Sequence, residues 1–357
     1  MALRFFSILT LIALFGATSC ESTHNSRVAS GLSVTGKVGE ILVVCDQGIW
    51  NSEIKAHLDT GLTQWILPYL PDVATFTLTH KTPSHFTQGV KRYRNTLFIN
   101  IDPNYQGDHG SIVKRKDVWA KDQLVVDITG KDFNQVVETC KLGLDEVHEE
   151  FDQIEWGRIM RNFSRNKNAS VLKKVKENFG IKLSLPTHST LVTSRKNFYR
   201  IEFPPASRPI EFVGSGTEDV GSIASGIMIY QYDYKDSSQF DFNRLLNARD
   251  TMLKYNVPSE IEGMFMGTQY ATVVYPEGNK TESADGVISG YEMRGMFMFK
   301  GLPKHSTGGA FWAFHFINPN TNKLVCISGY VDAPPTTSWT HPIREIQAIL
   351  RSVQFVK

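Results

Sequence analysis

"GAFWAFHFIN" at residues 309–318 and "KLVCISGYVDAP" at 323–334 decide the fold of this 357-residue chain. Both are rich in the aromatic and β-branched residues that suit a pleated surface. Asn318-Pro319-Asn320-Thr321-Asn322 stands between them and reads as the turn of a hairpin. Working outward, "STLVTSR" (189–195), "NFYRIEF" (197–203), "GIMIYQYDY" (226–234), "YATVVYP" (270–276) and "YEMRGMFMF" (291–299) add five strand candidates. One helix interrupts them at about 239–255 and another closes the chain at 341–353. Adjacent strands with few helices between them predict antiparallel pairing, hence an α+β class.

The first half has a different rhythm. "GEILVVCD" (39–46) is a short apolar run bounded by Gly and Asp, the pattern of a buried strand. A helix over 49–67 follows, capped by Asn51 or Ser52, with a stripe of Ile54, Leu58, Leu62, Trp65 and Ile66 and its end at Pro68. "ATFTLTHK" (74–81), "TLFINID" (96–102) and "QLVVDIT" (123–129) supply more strands, with a loop or edge hairpin before the last. Then Phe133, Val137, Cys140, Leu144, Val147, Phe151 and Ile154 alternate spacings of four and three. That stripe predicts a long helix packed on the N-terminal sheet, with a dimeric coiled coil as the competing reading. An Asn/Ser/Arg-rich break at 158–170 separates an N-terminal α/β domain (38–167) from a larger, mostly antiparallel α+β domain with covering helices (168–357). "SVLKKVKENFG" (170–180) reads as a short helix, capped by Ser170 and stopped by Gly180.

The N-terminus reads as an address. Arg4 precedes the apolar run 5–15, which is too short for the roughly 20 residues a spanning helix needs. Residues 1–19 thus read as a signal peptide. Ala17-Thr18-Ser19-Cys20 resembles the bacterial lipobox, which leaves Cys20 as a lipidated N-terminus. Two or three acyl chains give the stable anchoring that one does not. Residues 20–37 are small and polar, the composition of a flexible tether. Glu21 is followed by no acidic run, which favours the periplasmic face.

Charge is nearly balanced, 38 Lys and Arg against 36 Asp and Glu, so there is no basic field of the kind that binds nucleic acid. Beyond Cys20 three cysteines remain, Cys45, Cys140 and Cys326, all in apolar surroundings that read as buried free thiols. No catalytic residue, metal-ligand set or cofactor motif emerges. "GSGTEDVGS" (214–222) lacks the lysine of a phosphate loop, and "EVHEE" (146–150) lacks the second His of a zincin and reads as a solvated helix face. His315 alternates with Phe314 and Phe316 and faces away from them. Two sites remain. Trp312 and Phe314, with Met293 and Phe297 as neighbours, suggest an apolar groove for a ligand or partner. Arg158, Arg161, Arg165, Lys167, Lys173, Lys174 and Lys176, with no acid among them, suggest a face for anionic headgroups.

Taken together, the N-terminal Cys20 motif, "GKVGEILVVCD", "ENFGIKLSLP", "MRGMFMFKG", "GGAFWAF" and "GYVDAP" resemble the Bacteroidetes lipoproteins grouped as domain of unknown function 4837, over roughly 38–355. The resemblance implies a lipid-anchored protein of the Gram-negative envelope, on the outer membrane facing the periplasm, and brings no catalytic residues. The second half is also loosely similar to the Mog1/PsbP type of fold. The expectation is a binding or assembly role with membrane and envelope-protein partners. The alternative is a hydrolase of envelope glycan or peptidoglycan, which needs only two carboxylates across a cleft.

Overall fold

A computed structural model describes residues 32–67, 73–165, 168–209, 220–259, 261–301, 308–333 and 339–356. Cys20, the signal and most of the tether, Lys167, and 214–219 of the glycine-rich loop lie outside the described residues. The chain begins with β1 (Glu40–Val44), α1 (Gln47–Trp50) and α2 (Glu53–Leu62), followed by β2 (Thr77–Lys81), β3 (Asn95–Ile101), β4 (Ser111–Lys116) and β5 (Leu124–Gly130). The sheet order is β2-β1-β3-β5-β4, parallel except for β4 at the edge. Alternate residues Ile41, Val43, Leu97, Ile99, Val126 and Ile128 face α2 and the following helix.

The helix expected over 49–67 is shorter. Ser52 caps α2, its Oγ accepting from the Ile54 amide at 3.3 Å, and Ile54, Leu58 and Leu62 are buried. The backbone then leaves the helix to pair Trp65 with Ala74 in an antiparallel bridge, which turns Trp65 out to solvent at 54% exposure.

α3 (Phe133–Arg165) is one unbroken helix of 33 residues, about 50 Å long at 1.5 Å per residue. Its first half buries Val136, Val137, Cys140, Leu144, Val147 and Phe151 against the N-terminal sheet and α2. The stripe is therefore consumed within the chain, as a long packed helix. At the crossing, a Cβ on Gly61 would come 2.7 Å from Leu144 Cβ, so only glycine allows this approach. The second half runs on through the predicted break and buries Trp156, Ile159 and Phe163 in the C-terminal core.

Between these two apolar segments lies a buried ionic node. Glu155 is fully buried; its Oε1 accepts a hydrogen bond from Asn95 Nδ2 (2.8 Å) and makes ion pairs with Arg94 Nε (3.0 Å) and Arg158 Nη1 (3.1 Å). Arg158 also donates to the backbone carbonyls of Asp122 (2.7 Å) and Arg94 (2.7 Å). Arg158 is thus removed from the expected membrane-contact face: it is buried and spent on tying α3 to the sheet.

Next come α4 (Ala169–Phe179), β6 (Ile181–Lys182), β7 (Thr190–Arg195), β8 (Phe198–Glu202), β9 (Ala206–Pro209), β10 (Val220–Asp233) and α5 (Phe242–Asn256). β11 (Phe265–Thr268), β12 (Glu277–Glu282), β13 (Ser289–Lys300), β14 (Gly308–Asn318), β15 (Lys323–Asp332), α6 (Thr340–Arg351) and β16 (Gln354–Phe355) complete the chain. The large sheet runs β11-β13-β14-β15-β10-β8-β7, with β12 on β13 and β9 on β10, and all its pairs are antiparallel. Asn168 caps α4, in place of the expected Ser170, and Gly180 ends it in the left-handed conformation.

Both faces of this sheet are covered, which is why β14 and β15 read as nearly continuous apolar runs. Trp312, Phe314, Phe316, Val325 and Ile327 pack towards α6 and the end of α3. Phe311, Ala313, Leu324, Cys326 and Tyr330 pack towards α5. α6 seats closely on the first face: a Cβ on Gly329 would lie 2.2 Å from Ile346. It also joins the two halves. Arg344 donates to the Thr75 carbonyl (2.7 Å), pairs with Asp152 of α3 (2.8 Å) and lies 4.3 Å over the Phe76 ring. "YATVVYP" is not a strand; Thr272–Val274 form an exposed 3-10 turn between β11 and β12.

Glu155→Ala leaves two buried guanidinium groups without their anion. It is expected to lower stability by about 3–5 kcal/mol, read as an earlier midpoint in urea. An unchanged midpoint would contradict the node's structural role.

Candidate functional site

The expected aromatic groove does not form. In the β13–β14 register Glu292 pairs with Phe314, Arg294 with Trp312, Met293 with Ala313 and Phe297 with Gly309. Met293 and Phe297 therefore lie on the α5 face, and Trp312 and Phe314 on the α6 face. All four are at most 2% exposed. They are core on opposite sides of one sheet, since side chains alternate strictly across it.

His315 has the surroundings of a structural group. It sits beside Cys326 on β15, which in turn pairs with Tyr230 on β10. Tyr230 Oη and His315 Nε2 are 3.2 Å apart. Burial pushes the imidazole down to about 3 and the Cys326 thiol up to about 12. Neither a thiolate nor a chargeable base is present at neutral pH, so this trio is unsuited to nucleophilic catalysis. Burial also raises Cys45 to about 11 and Cys140 to about 12, and all three described cysteines are free. His148, expected on a solvated face, instead bonds Thr75 Oγ1 (2.9 Å) and packs edge-on to Phe76 at the junction of the two halves.

The basic block is divided by its surroundings. Arg158 is buried, Arg161 pairs with Asp122 at 3.0 Å, and Arg165 is exposed at the end of α3. Lys173, Lys174 and Lys176 are exposed on α4. α4 turns Val171, Val175 and Phe179 to the core, while Ala169, Leu172, Lys173 and Lys176 line a neighbouring cleft of about 560 Å³. The spacing i, i+3, i+4, i+7 puts those four on one helical face.

The rest of this cleft is assembled from distant segments. Met160, Phe163 and Ser164 come from the last turns of α3. Leu183 and Leu185 follow β6, which pairs with β16, and the Ser184 amide donates to Ser352 Oγ at 3.0 Å. Lys182 and Arg351 bring further cations. The Arg351 guanidinium lies 4.1 Å over the Trp156 ring, and its Nε is buried with no hydrogen-bond partner. One acid lines the cleft, Asp285, whose carboxyl is held low by the Ser283 hydroxyl at 2.7 Å. The result is an apolar recess with a cationic rim. Among the described residues no three His, Cys, Asp or Glu side chains gather to hold a metal, and no helix is long and apolar enough to cross a membrane.

Two family models match the chain: Domain of unknown function (DUF8532) over residues 34–164, and Domain of unknown function (DUF4837) over residues 168–352. The second carries the resemblance seen in the sequence; the first half has a family model of its own. No curated protein matches the chain. Among solved structures, the Saccharomyces cerevisiae Ran-binding protein Mog1p is similar at 13% identity, over 50% of this chain and 91% of that one, with a TM-score of 0.28. A Mog1 point mutant gives 12% identity, 50% and 92% coverage, and a TM-score of 0.29.

The unfolded chain protonates His315 near pH 6.5, the folded chain only near 3. Between those values the unfolded state binds more protons, so stability falls as pH falls, by up to about 1.4 kcal/mol per pH unit. His148, lowered by burial, adds to the same slope. Urea midpoints measured from neutral to acid pH should fall less steeply for His315→Gln than for the parent chain. Identical slopes would contradict the buried, neutral state of this histidine.

Proposed function

The chain belongs to the family of Domain of unknown function DUF4837, and from that premise we propose a lipid-anchored protein of the bacterial cell envelope with a binding role. The anchor is Cys20, and the site is the outer membrane, facing the periplasm. The short apolar run 5–15 and the Ala17-Thr18-Ser19-Cys20 motif support the address. One observation carries the binding role: the 560 Å³ recess with apolar walls and the cations Lys173, Lys176, Lys182 and Arg351 at its edge. That volume falls within the roughly 300–1,000 Å³ of small-molecule sites. Glycan hydrolysis uses two carboxylates about 5–9 Å apart, and this recess is lined by one acid. Binding, to an envelope molecule or an envelope protein, is the reading that its chemistry favours.

Cys20→Ala is expected to abolish incorporation of labelled palmitate and to break the association with outer-membrane fractions. Purified from its native envelope in mild detergent, the parent chain should bring a stoichiometric lipid, glycan or protein, identified by mass spectrometry. A chain that takes no palmitate contradicts the anchor. A chain that comes out alone and turns over a glycan contradicts the binding role.

A further inference from the structure

The tether and the cleft meet at the same end of α3. The Lys121 amide donates to the Leu32 carbonyl at 3.0 Å, where the described chain begins. The next residue, Asp122, pairs with Arg161 at 3.0 Å. One turn further along α3, Ser164 lines the cleft. Residues 20–31 span at most about 40 Å when extended. A chain anchored at Cys20 is thus held with this end of α3 within a tether's length of the bilayer. The cations on this end are unequally engaged. Arg161 has Asp122, and Lys173 has only a distant Glu177 at 3.8 Å. Among the described residues Lys176 and Lys182 have no ion-pair partner. Beside them the recess offers Met160, Phe163, Leu172, Leu183 and Leu185. An apolar cavity with a cationic mouth, within a tether's length of a membrane, matches one ligand chemistry: a hydrocarbon chain bearing an anionic head.

We infer that the cleft takes an anionic phospholipid from the anchoring bilayer, one acyl chain in the recess and the phosphate among Lys173, Lys176, Lys182 and Arg351. This rests on the binding role proposed above and names its ligand class. The lysines act as mobile point charges that draw the head in. Arg351 is less mobile, stacked on Trp156 with its Nε buried and without a hydrogen-bond partner. Asp285 also lines the cleft and opposes the phosphate, and the four cations outnumber it.

Trp156 provides the readout, because it lies directly beneath Arg351. The full chain is reconstituted into phosphatidylcholine vesicles that contain, at equal mole fraction, either phosphatidylglycerol or phosphatidylcholine with brominated acyl chains. Bromine quenches tryptophan at short range without requiring contact, which suits Trp156, stacked on the cleft-lining Arg351, and subtraction of the Trp156→Phe variant isolates the relevant emission. Brominated phosphatidylglycerol is expected to quench Trp156, and brominated phosphatidylcholine to leave it unchanged. Lys173→Gln and Lys176→Gln should each weaken the effect by about fivefold. Ala169→Phe, an exposed position on the cleft wall, should block it while leaving the urea midpoint in place. Equal quenching by both lipids, or none by either, overturns the inference. Displacement of the quenching by inorganic phosphate also overturns it, because the site would then be one for free anions. Flotation with pure phosphatidylcholine vesicles reports the anchor alone, so the anchor and the lipid site can fail separately.

Discussion

The fully buried carboxylate of Glu155, held between Arg94 and Arg158, sits where one helix passes from one hydrophobic core to another. A charge in that position is costly unless it is paired, and here two guanidinium groups and the Asn95 amide converge on one oxygen. Because the donors come from β3 and its approach as well as from α3, the node fixes the axial position of the helix on the N-terminal sheet. The helix is rigid, so its last turns are fixed too. Met160, Phe163 and Ser164 therefore arrive at the C-terminal core as a preset wall of the cleft.

The second wall depends on α6. Gly329 lets α6 approach β15, Arg344 ties it to Asp152 and Thr75, and Arg351 at its end reaches Trp156 on α3. The short β6–β16 ribbon continues from there and brings Lys182 to the edge and Leu183 to the apolar lining. The recess is thus a by-product of two helices being pinned at one end while a two-stranded ribbon spaces them at the other. α4 closes the side with an amphipathic face that is apolar towards the core and basic towards the opening.

Most of the architecture was legible because its signals are local. "GEILVVCD", the four-three spacing through α3, and the β14–β15 hairpin each carry their period within a few turns or a few residues. The errors arose where long-range pairing decides. Parity alone places Trp312 with Phe314, but which face Met293 takes depends on its register against β14. A shift of one residue exchanges the faces. Arg158 shows a cation's sign in the sequence and conceals its partners, since Glu155, Arg94 and Asp122 converge only on folding. β12 escaped notice because "EGNKTE" is a polar edge strand with no alternation. The cleft draws on segments near 160, 170, 183 and 352, and no contiguous motif announces it. One trace was visible: Ala169, Leu172, Lys173 and Lys176 share a helical face that the core-facing Val171, Val175 and Phe179 leave unused.

Hydrogen–deuterium exchange of the full chain, on phosphatidylglycerol and on phosphatidylcholine vesicles, tests the central claim most directly, because it reads every amide without assuming where the ligand sits. The account predicts slower exchange on phosphatidylglycerol across 169–176, 182–185 and 351–354, with 270–275 and α5 unchanged. Protection elsewhere, or no difference between the two lipids, would contradict it.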